Sequence, residues 1–479
     1  MWQYKIDLSV AIFALTLVAT FIASLLGRLH TKRIDTEGLA GQRLNKWLVG
    51  LSAGAAANSG FVVTGAVGLG YTAGAQWLLL PLAWLLGDLV FWSIFPGRIN
   101  RAGAEANAST LTDVLVFRLD ERSSKLVKRV VGTAILVCLS GYVSAQWLSG
   151  EKFLRGAFGF EGLASLAAFA AVIVVYTAIG GFRGSIYSDA FQAVLRIIGT
   201  IVALAAVFTI AGRDIGSFRS AIDAAGPTFL NILPGNSVTA AAGFVLGYAA
   251  AALGFGLGQP QIVTRYLAGA SPAETRAAWW IYIAFVQFTW ISMTLFGMAL
   301  RGIIPSLDDP EAGLSVFFRT SVGPLLTGII VADIFATIAA TSNSLLVAMA
   351  QTLKFDLVSA TRVRGHDDHR TGLWPYTALL GAATMVLSLI SNASVVSLAL
   401  TSVSLLGAGI APAMLARTLG VRQSGFSILS GLVVGFGVAT SWKLSGLGAI
   451  VNEAAPGLLA GLVVNLVAAQ FAPASSKSI

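Results

Sequence analysis

Four ionisable side chains stand within or beside apolar runs of this chain: Asp88, Arg196 and Asp333 inside them, and Asp189 at the edge of one. A charge at bilayer depth is costly, so residues of this kind mark ion paths, proton relays or structural ion pairs. Asp333 lies one helical turn before Thr337 and two before Thr341, with Ser344 near the same face. That stripe of oxygen atoms suits a hard cation or a proton. Hydroxyls that bond back to their own helix produce the same spacing, and Asp88 and Arg196 equally suit an ion pair or a snorkelling side chain. Enzyme chemistry finds little support. His366-Asp-Asp-His369 belongs to a charged link, and no nucleophile and base pair accompanies it. Cys138 is the single cysteine, which excludes an intrachain disulfide and a cysteine metal cluster and reads as a small apolar residue.

The elements that must position these groups are membrane helices. Of 479 residues, 56% are hydrophobic and 11% charged, against about 25% charged in a soluble domain. Windows of about 20 residues, the length that crosses the hydrocarbon core, resolve roughly thirteen apolar runs. They cover about 7–27, 46–70, 73–95, 130–149, 161–181, 190–211, 237–258, 278–300, 322–351, 373–392, 396–416, 425–441 and 453–471. The first run lacks a small-residue cleavage site and reads as a retained helix. The net charge of +9 is a topology signal, not a sign of a nucleic-acid partner: roughly 22 of the 31 Lys and Arg lie in links after odd-numbered runs. That places the N-terminus outside and the C-terminus in the cytoplasm of a bacterial inner membrane.

Two runs are interrupted, the second by Ser52-Ala-Gly-Ala-Ala-Ala-Asn-Ser-Gly60 and the seventh by Leu253-Gly-Phe-Gly-Leu-Gly-Gln-Pro260. Broken helices free backbone carbonyls and amides at membrane depth, where transporters built from inverted repeats bind their cargo. Close helix packing through small residues is the plainer reading of either stretch taken singly. The expectation is an all-α polytopic membrane protein of about thirteen transmembrane helices, with a five-plus-five inverted repeat and broken second and seventh helices. One transmembrane domain spans 1–479: an extra helix and link (1–45), a first repeat (46–212), a second repeat (237–416) and two C-terminal helices (417–479). The link 98–129 is expected to hold an amphipathic helix over Leu111 to Val127.

The chain resembles the sodium:solute symporters, and among them the bacterial sodium/proline symporters. Tyr176-Thr-Ala-Ile-Gly-Gly-Phe182, followed by Ser188-Asp189 and Gln192, is similar to the family's Tyr-x-x-x-Gly-Gly stretch. Gly258-Gln-Pro-Gln-Ile262 with Arg265, Ala340-Thr-Ser-Asn-Ser-Leu345, Leu111-Thr-Asp113 and Trp442-Lys443 fall in matching order. The resemblance implies a sodium site between the second and ninth helices, with no organic cofactor: Ala55 and Asn58 on the second, and on the ninth, in one register, Ala339 and Ala340 or, shifted by one residue, Ala340 and Thr341 with Thr337 a turn earlier. Ala57 stands where the sodium/proline symporters carry an aspartate, and Ala340 where a hydroxyl is expected, so oxygen ligands are missing. Asp333 is placed to supply the lost charge, and the amide oxygens of Asn58 and Asn343 to replace ligands. For the solute, the resemblance points to Ser59, Gly60, Tyr142, Gly256 and Gln259. Ala252 and Gly256 replace aromatic residues of the proline transporters, so the pocket floor differs.

The implied function is a secondary active symporter that imports a small organic solute, a proline-like amino acid or another carboxylated compound, with a cation by alternating access. Its partners are the solute, the coupling cation and membrane lipid. A proton-coupled or ion-independent carrier using Asp333, or a membrane sensor with a transporter-like fold, are the alternatives. Asp333, Asp189 and Asp88 are the coupling candidates.

Overall fold

The computed structural model describes residues 8–29, 39, 42–160, 162–358, 372–390 and 394–471. His366, His369, much of the first and ninth basic links and the tail after Phe471 lie outside the described residues. Every named element among the described residues is helical. The helices corresponding to the apolar runs are α1 (Leu8–Leu29), α2 (Lys46–Ala57, resumed as Phe61–Gly65 and Ala66–Ala73), α3 (Leu79–Ile94) and α4 (Glu121–Phe158). Then follow α5 and α6, joined within Leu163–Ala211 by a kink at Gly181, α7 (Val238–Gly258, resumed as Pro260–Leu267), α8 (Trp279–Ile303) and α9 (Pro324–Gln351). The last four are α10 (Trp374–Ile390), α11 (Val395–Gly409, continued by Ala411–Thr418), α12 (Gly425–Leu444) and α13 (Ala454–Gln470).

Among the described residues, eight helical stretches are long and apolar enough to cross a membrane, and the two parts of α11, bent by 44°, make a ninth. Two of the eight, 61–94 and 163–211, each hold more than one expected run, and α10 and α13 are shorter apolar helices. The lipid solvent is visible in α1. It buries Ser9, Thr16, Thr20, Ser24 and Gly27 and turns Leu15, Ile22 and Leu29 outward. Small and hydroxylated residues let membrane helices approach, while leucines lose nothing by facing acyl chains. At the other extreme, every residue of α9 from 330 to 351 is buried, so this helix is the central post of the bundle.

The two breaks arise differently. α2 stops at Asn58, whose φ of −85° and ψ of 72° leave the helical region, and a turn of wider pitch over Phe61–Gly65 restarts it. α7 breaks because Pro260 has no N–H to offer the preceding turn and disfavours the helical conformation at Gln259. Gln259 is extended, with φ −91° and ψ 111°, and Pro260 opens the second half as its first residue. The kink between α5 and α6 falls on the Gly-Gly of the sequence motif: Gly181 has φ 60°, a region that residues with a Cβ rarely occupy.

The expected amphipathic helix over 111–127 is corrected. Thr110 and Asp113 form a reciprocal cap on a short helix, Leu111–Val116. Phe117 is then extended (ψ 127°) and Arg118 has φ 68°, so the chain turns, and Asp120 caps the start of α4. Local capping outweighs the continuous apolar periodicity.

Candidate functional site

The crossing of α2 and α9 holds the expected cation position. Where α2 ends, the carbonyls of Ala55 and Ala56 accept from Thr341 Oγ1 at 3.3 and 3.2 Å. A hydroxyl on the post thus meets two carbonyl oxygens at the break, the kind of oxygen set a hard cation takes. Of the two possible registers of the ninth run, this is the one that puts Thr341 on the second helix. Ala340 is buried beside it and offers no side-chain oxygen. Asn58 turns elsewhere: its Nδ2 donates to Thr289 Oγ1 at 2.6 Å and its Oδ1 accepts from Trp290 Nε1 at 3.1 Å, so its amide ties α2 to α8. Asn343 donates to Ser188 Oγ at 3.3 Å, and its Oδ1 has no hydrogen-bond partner among the described residues.

Thr337 donates to Asp333 Oδ1 at 3.3 Å. The other oxygen of Asp333 accepts from Arg196 Nη1 at 2.6 Å, in a pair whose side chains are 1% and 2% exposed. Gly199 allows that approach, since a Cβ there would lie 2.3 Å from the Asp333 carboxyl group. Asp333 is therefore tied to α6.

Asp189, expected at the edge of the sixth run, is fully buried inside α6, which begins earlier than the hydropathy indicates. Arg265, on the second half of α7, gathers the polar groups around it. Its Nη2 donates to Asp189 Oδ2 at 2.9 Å, to Ser344 Oγ at 2.5 Å and to Ser185 Oγ at 3.2 Å. Its Nε donates to Ser52 Oγ at 2.9 Å, and its Nη1 to the Gln261 carbonyl. Ser52 and Ser344 also donate to Asp189 Oδ2, at 2.8 and 3.2 Å. One guanidinium fork joins α2, α6, α7 and α9. At the other end of the bundle, Lys152 and Arg155 of α4 reach Asp309 at 2.7 and 2.6 Å, and Lys152 reaches Glu311 at 3.2 Å.

Between these ties, beside the break in α2, lies a cavity lined by Ala57, Ser59, Phe61, Trp84, Tyr142, Phe255, Trp290, Ala399, Leu400 and Val403. It is small, with room for one or two waters. Ser59 and Tyr142 line it. Gly60, Gly256 and Gln259 do not: the Gly60 amide donates to Gln146 Oε1 at 2.8 Å, Gly256 packs against Phe91, and Gln259 accepts from Gln261 Nε2 at 3.0 Å. The aromatic walls Trp84 and Trp290, whose centroids are 5.2 Å apart, were not singled out by the sequence reading. Their one signal was a tryptophan in the middle of an apolar run, away from the interface where tryptophan usually gathers.

The family model of the sodium:solute symporters matches residues 38–435. The osmoregulated proline transporter OpuE of Bacillus subtilis (strain 168) is 28% identical over 466 residues, covering 93% of this chain and 92% of its own. A high-affinity proline transporter of the same organism, PutP, is 26% identical, with 94% and 95% covered. A sodium/proline symporter of Staphylococcus aureus is 24% identical, with 98% and 93% covered. Among solved structures, a sodium-coupled sialic acid symporter in a substrate-bound, outward-open state superposes with a TM-score of 0.79 over 98% of this chain and 99% of its own. At 16% identity that likeness speaks for the fold, an inverted-repeat transporter fold.

Proposed function

We propose that this chain, which belongs to the sodium:solute symporter family, imports a small carboxylated solute, proline or a compound like it, together with sodium by alternating access. Its relatives are transporters and not enzymes. The observation that carries the proposal is the contact of Thr341 with the Ala55 and Ala56 carbonyls, directly beside a cavity that includes Ser59 and Tyr142. A cation held there draws α2 onto α9 and so shapes the cavity wall, which is how one bound species favours the other. Ala57 removes a carboxylate from this region, so the cation rests on neutral oxygens and is held more weakly than by a charged ligand.

The solute class follows from the break itself. The helical turn that restarts at Phe61 presents its amino end beside the cavity, and a carboxylate suits the positive end of a helix. Tyr142, Trp84 and Trp290 supply apolar walls for a compact ring or aliphatic body. The pairing of Asp333 with Arg196 speaks against the version in which Asp333 drives transport by itself. In this reading the chain sits in a bacterial inner membrane with its N-terminus outside. Arg265 and its partners close the cytoplasmic path, and Lys152 with Asp309 closes the outer one. The test is uptake of labelled proline and a panel of small amino and organic acids into proteoliposomes under an imposed sodium gradient. Accumulation is expected, and a panel that enters no faster than into empty vesicles would remove the proposal.

A further inference from the structure

Among the described residues five carboxylates are buried: Asp88, Asp189, Asp333, Asp356 and Glu453. Four have a cation within reach, namely Arg265 for Asp189 at 2.9 Å, Arg196 for Asp333 at 2.6 Å, Lys128 for Asp356 at 3.5 Å and Lys443 for Glu453 at 3.6 Å. Asp88 has none, although it is 2% exposed, and its Oδ2 has no hydrogen-bond partner. It also sits in an unusual stripe. Trp84, Asp88 and Trp92 are spaced four residues apart, on successive turns of one face of α3. All three are buried; the indole N–H of Trp92 lacks an acceptor, and that of Trp84 faces the Tyr282 hydroxyl. Trp84 lines the solute cavity, so the stripe runs from the cavity wall along α3.

The groups around Asp88 are neutral. The hydroxyls of Tyr266, on the second half of α7, and Tyr282, on α8, lie within its electrostatic reach. The rings of both pack on Trp92, at 5.3 and 5.2 Å. Arg265, next to Tyr266, is committed to Asp189. Arg301 of α8 lies over Tyr71, and Tyr248 of α7 is beside Glu453. Arg98, Arg101 and Glu105 of the following helix, Pro96–Ala106, are exposed. An ionised carboxylate among apolar and aromatic groups, without a counter-charge and with an oxygen unbonded, is strongly disfavoured against the neutral acid.

We propose that Asp88 is a proton-binding site, loaded in this closed arrangement and emptied when α3 and the second half of α7 part, so that a proton moves with each transport cycle. The site is separate from the crossing of α2 and α9, and the proposal rests on the alternating-access reading above. The step needs no other reactant: the carboxylate accepts a proton from water on one side, and the exposed acid returns it on the other. Opening supplies the change, because water reaching the carboxyl group restores the solvation of its charged form.

The experiment uses the full chain in lipid vesicles loaded with a pH-sensitive dye, alongside Asp88→Asn and Asp88→Glu, with the membrane potential clamped. Labelled proline and the amino- and organic-acid panel are added under a sodium gradient, and then under an inward gradient of one pH unit with equal sodium on both sides. The parent is expected to acidify the lumen as solute enters, and to accumulate solute up to about ten-fold on the pH gradient, the most that one proton per solute supports. Asp88→Asn is expected to abolish the acidification and Asp88→Glu to retain it. Solute entry without proton movement in the parent, or equal proton movement in Asp88→Asn, overturns the proposal. Infrared spectra of the same proteins at neutral pH decide the site even if no solute of the panel crosses. A protonated carboxyl band in the parent that Asp88→Asn removes, or that Asp88→Glu shifts should the asparagine variant not fold, upholds it. A spectrum indifferent to both substitutions sinks it.

Discussion

Asp333→Asn separates a structural role for that carboxylate from a coupling role. The substitution keeps the shape of the side chain and removes its charge, which leaves Arg196 cationic at the centre of the bundle. Breaking a buried pair from one side costs about 3–5 kcal/mol. Arg196 Nε and Nη2 already lack hydrogen-bond partners, so the guanidinium has little else to turn to, and the upper half of that range is expected. Arg196→Met in the same chain takes away the orphaned charge. The double variant should then return to within about 1 kcal/mol of the parent or exceed it, as buried pairs replaced by apolar groups commonly do, giving a coupling energy of at least about 3 kcal/mol in the cycle, larger by whatever Arg196→Met costs alone. Unfolding midpoints of the four proteins in one detergent measure it, with ion-driven uptake recorded for each that folds. Two single effects that merely add in the double variant would refute the pair. An Asp333→Asn protein of parental stability that has lost only ion-driven accumulation would give Asp333 the coupling role instead.

Three further outcomes follow from the site. Thr341→Val removes the hydroxyl facing the two α2 carbonyls and should raise the sodium concentration for half-maximal uptake about ten- to a hundred-fold, from ~1.5–3 kcal/mol for a contact to a charged group; an unchanged sodium dependence would move the cation elsewhere. Tyr142→Ala should weaken solute binding by about ten-fold or more through loss of an aromatic wall while the protein still elutes as the parent does, and unchanged affinity would take Tyr142 out of the site. Arg265→Lys cannot reproduce a fork that reaches Asp189, three serines and a carbonyl, so transport should fall with labelling of α6 from the cytoplasmic side enhanced; parental transport would mean the network is dispensable for closure.

The helices and their two breaks were legible because the signals are local. Twenty apolar residues mark a span wherever they occur, and Pro260 ends a helix by its own covalent structure. What sequence could not supply was pairing across distance. Arg196 and Asp333 are 137 residues apart, and nothing in the periodicity of either helix says that they meet. The register of α9 stayed open for the same reason, since choosing Thr341 over its neighbours requires knowing which face turns to the end of α2. The continuous helix expected over 111–127 failed where a capping box and a left-handed Arg118 outweighed hydropathy. Trp84 and Trp290 went unnoticed because a buried tryptophan in an apolar run looks like packing until the cavity beside it is seen.

The central claim is that this chain couples a cation to the movement of a small carboxylated solute. Uptake of labelled proline and its panel of competitors into proteoliposomes, with an inward sodium gradient compared against no gradient, tests it most directly. Accumulation above the external concentration, collapsed by a sodium ionophore, is the predicted result. Entry that only equilibrates, whatever gradient is imposed, would contradict it.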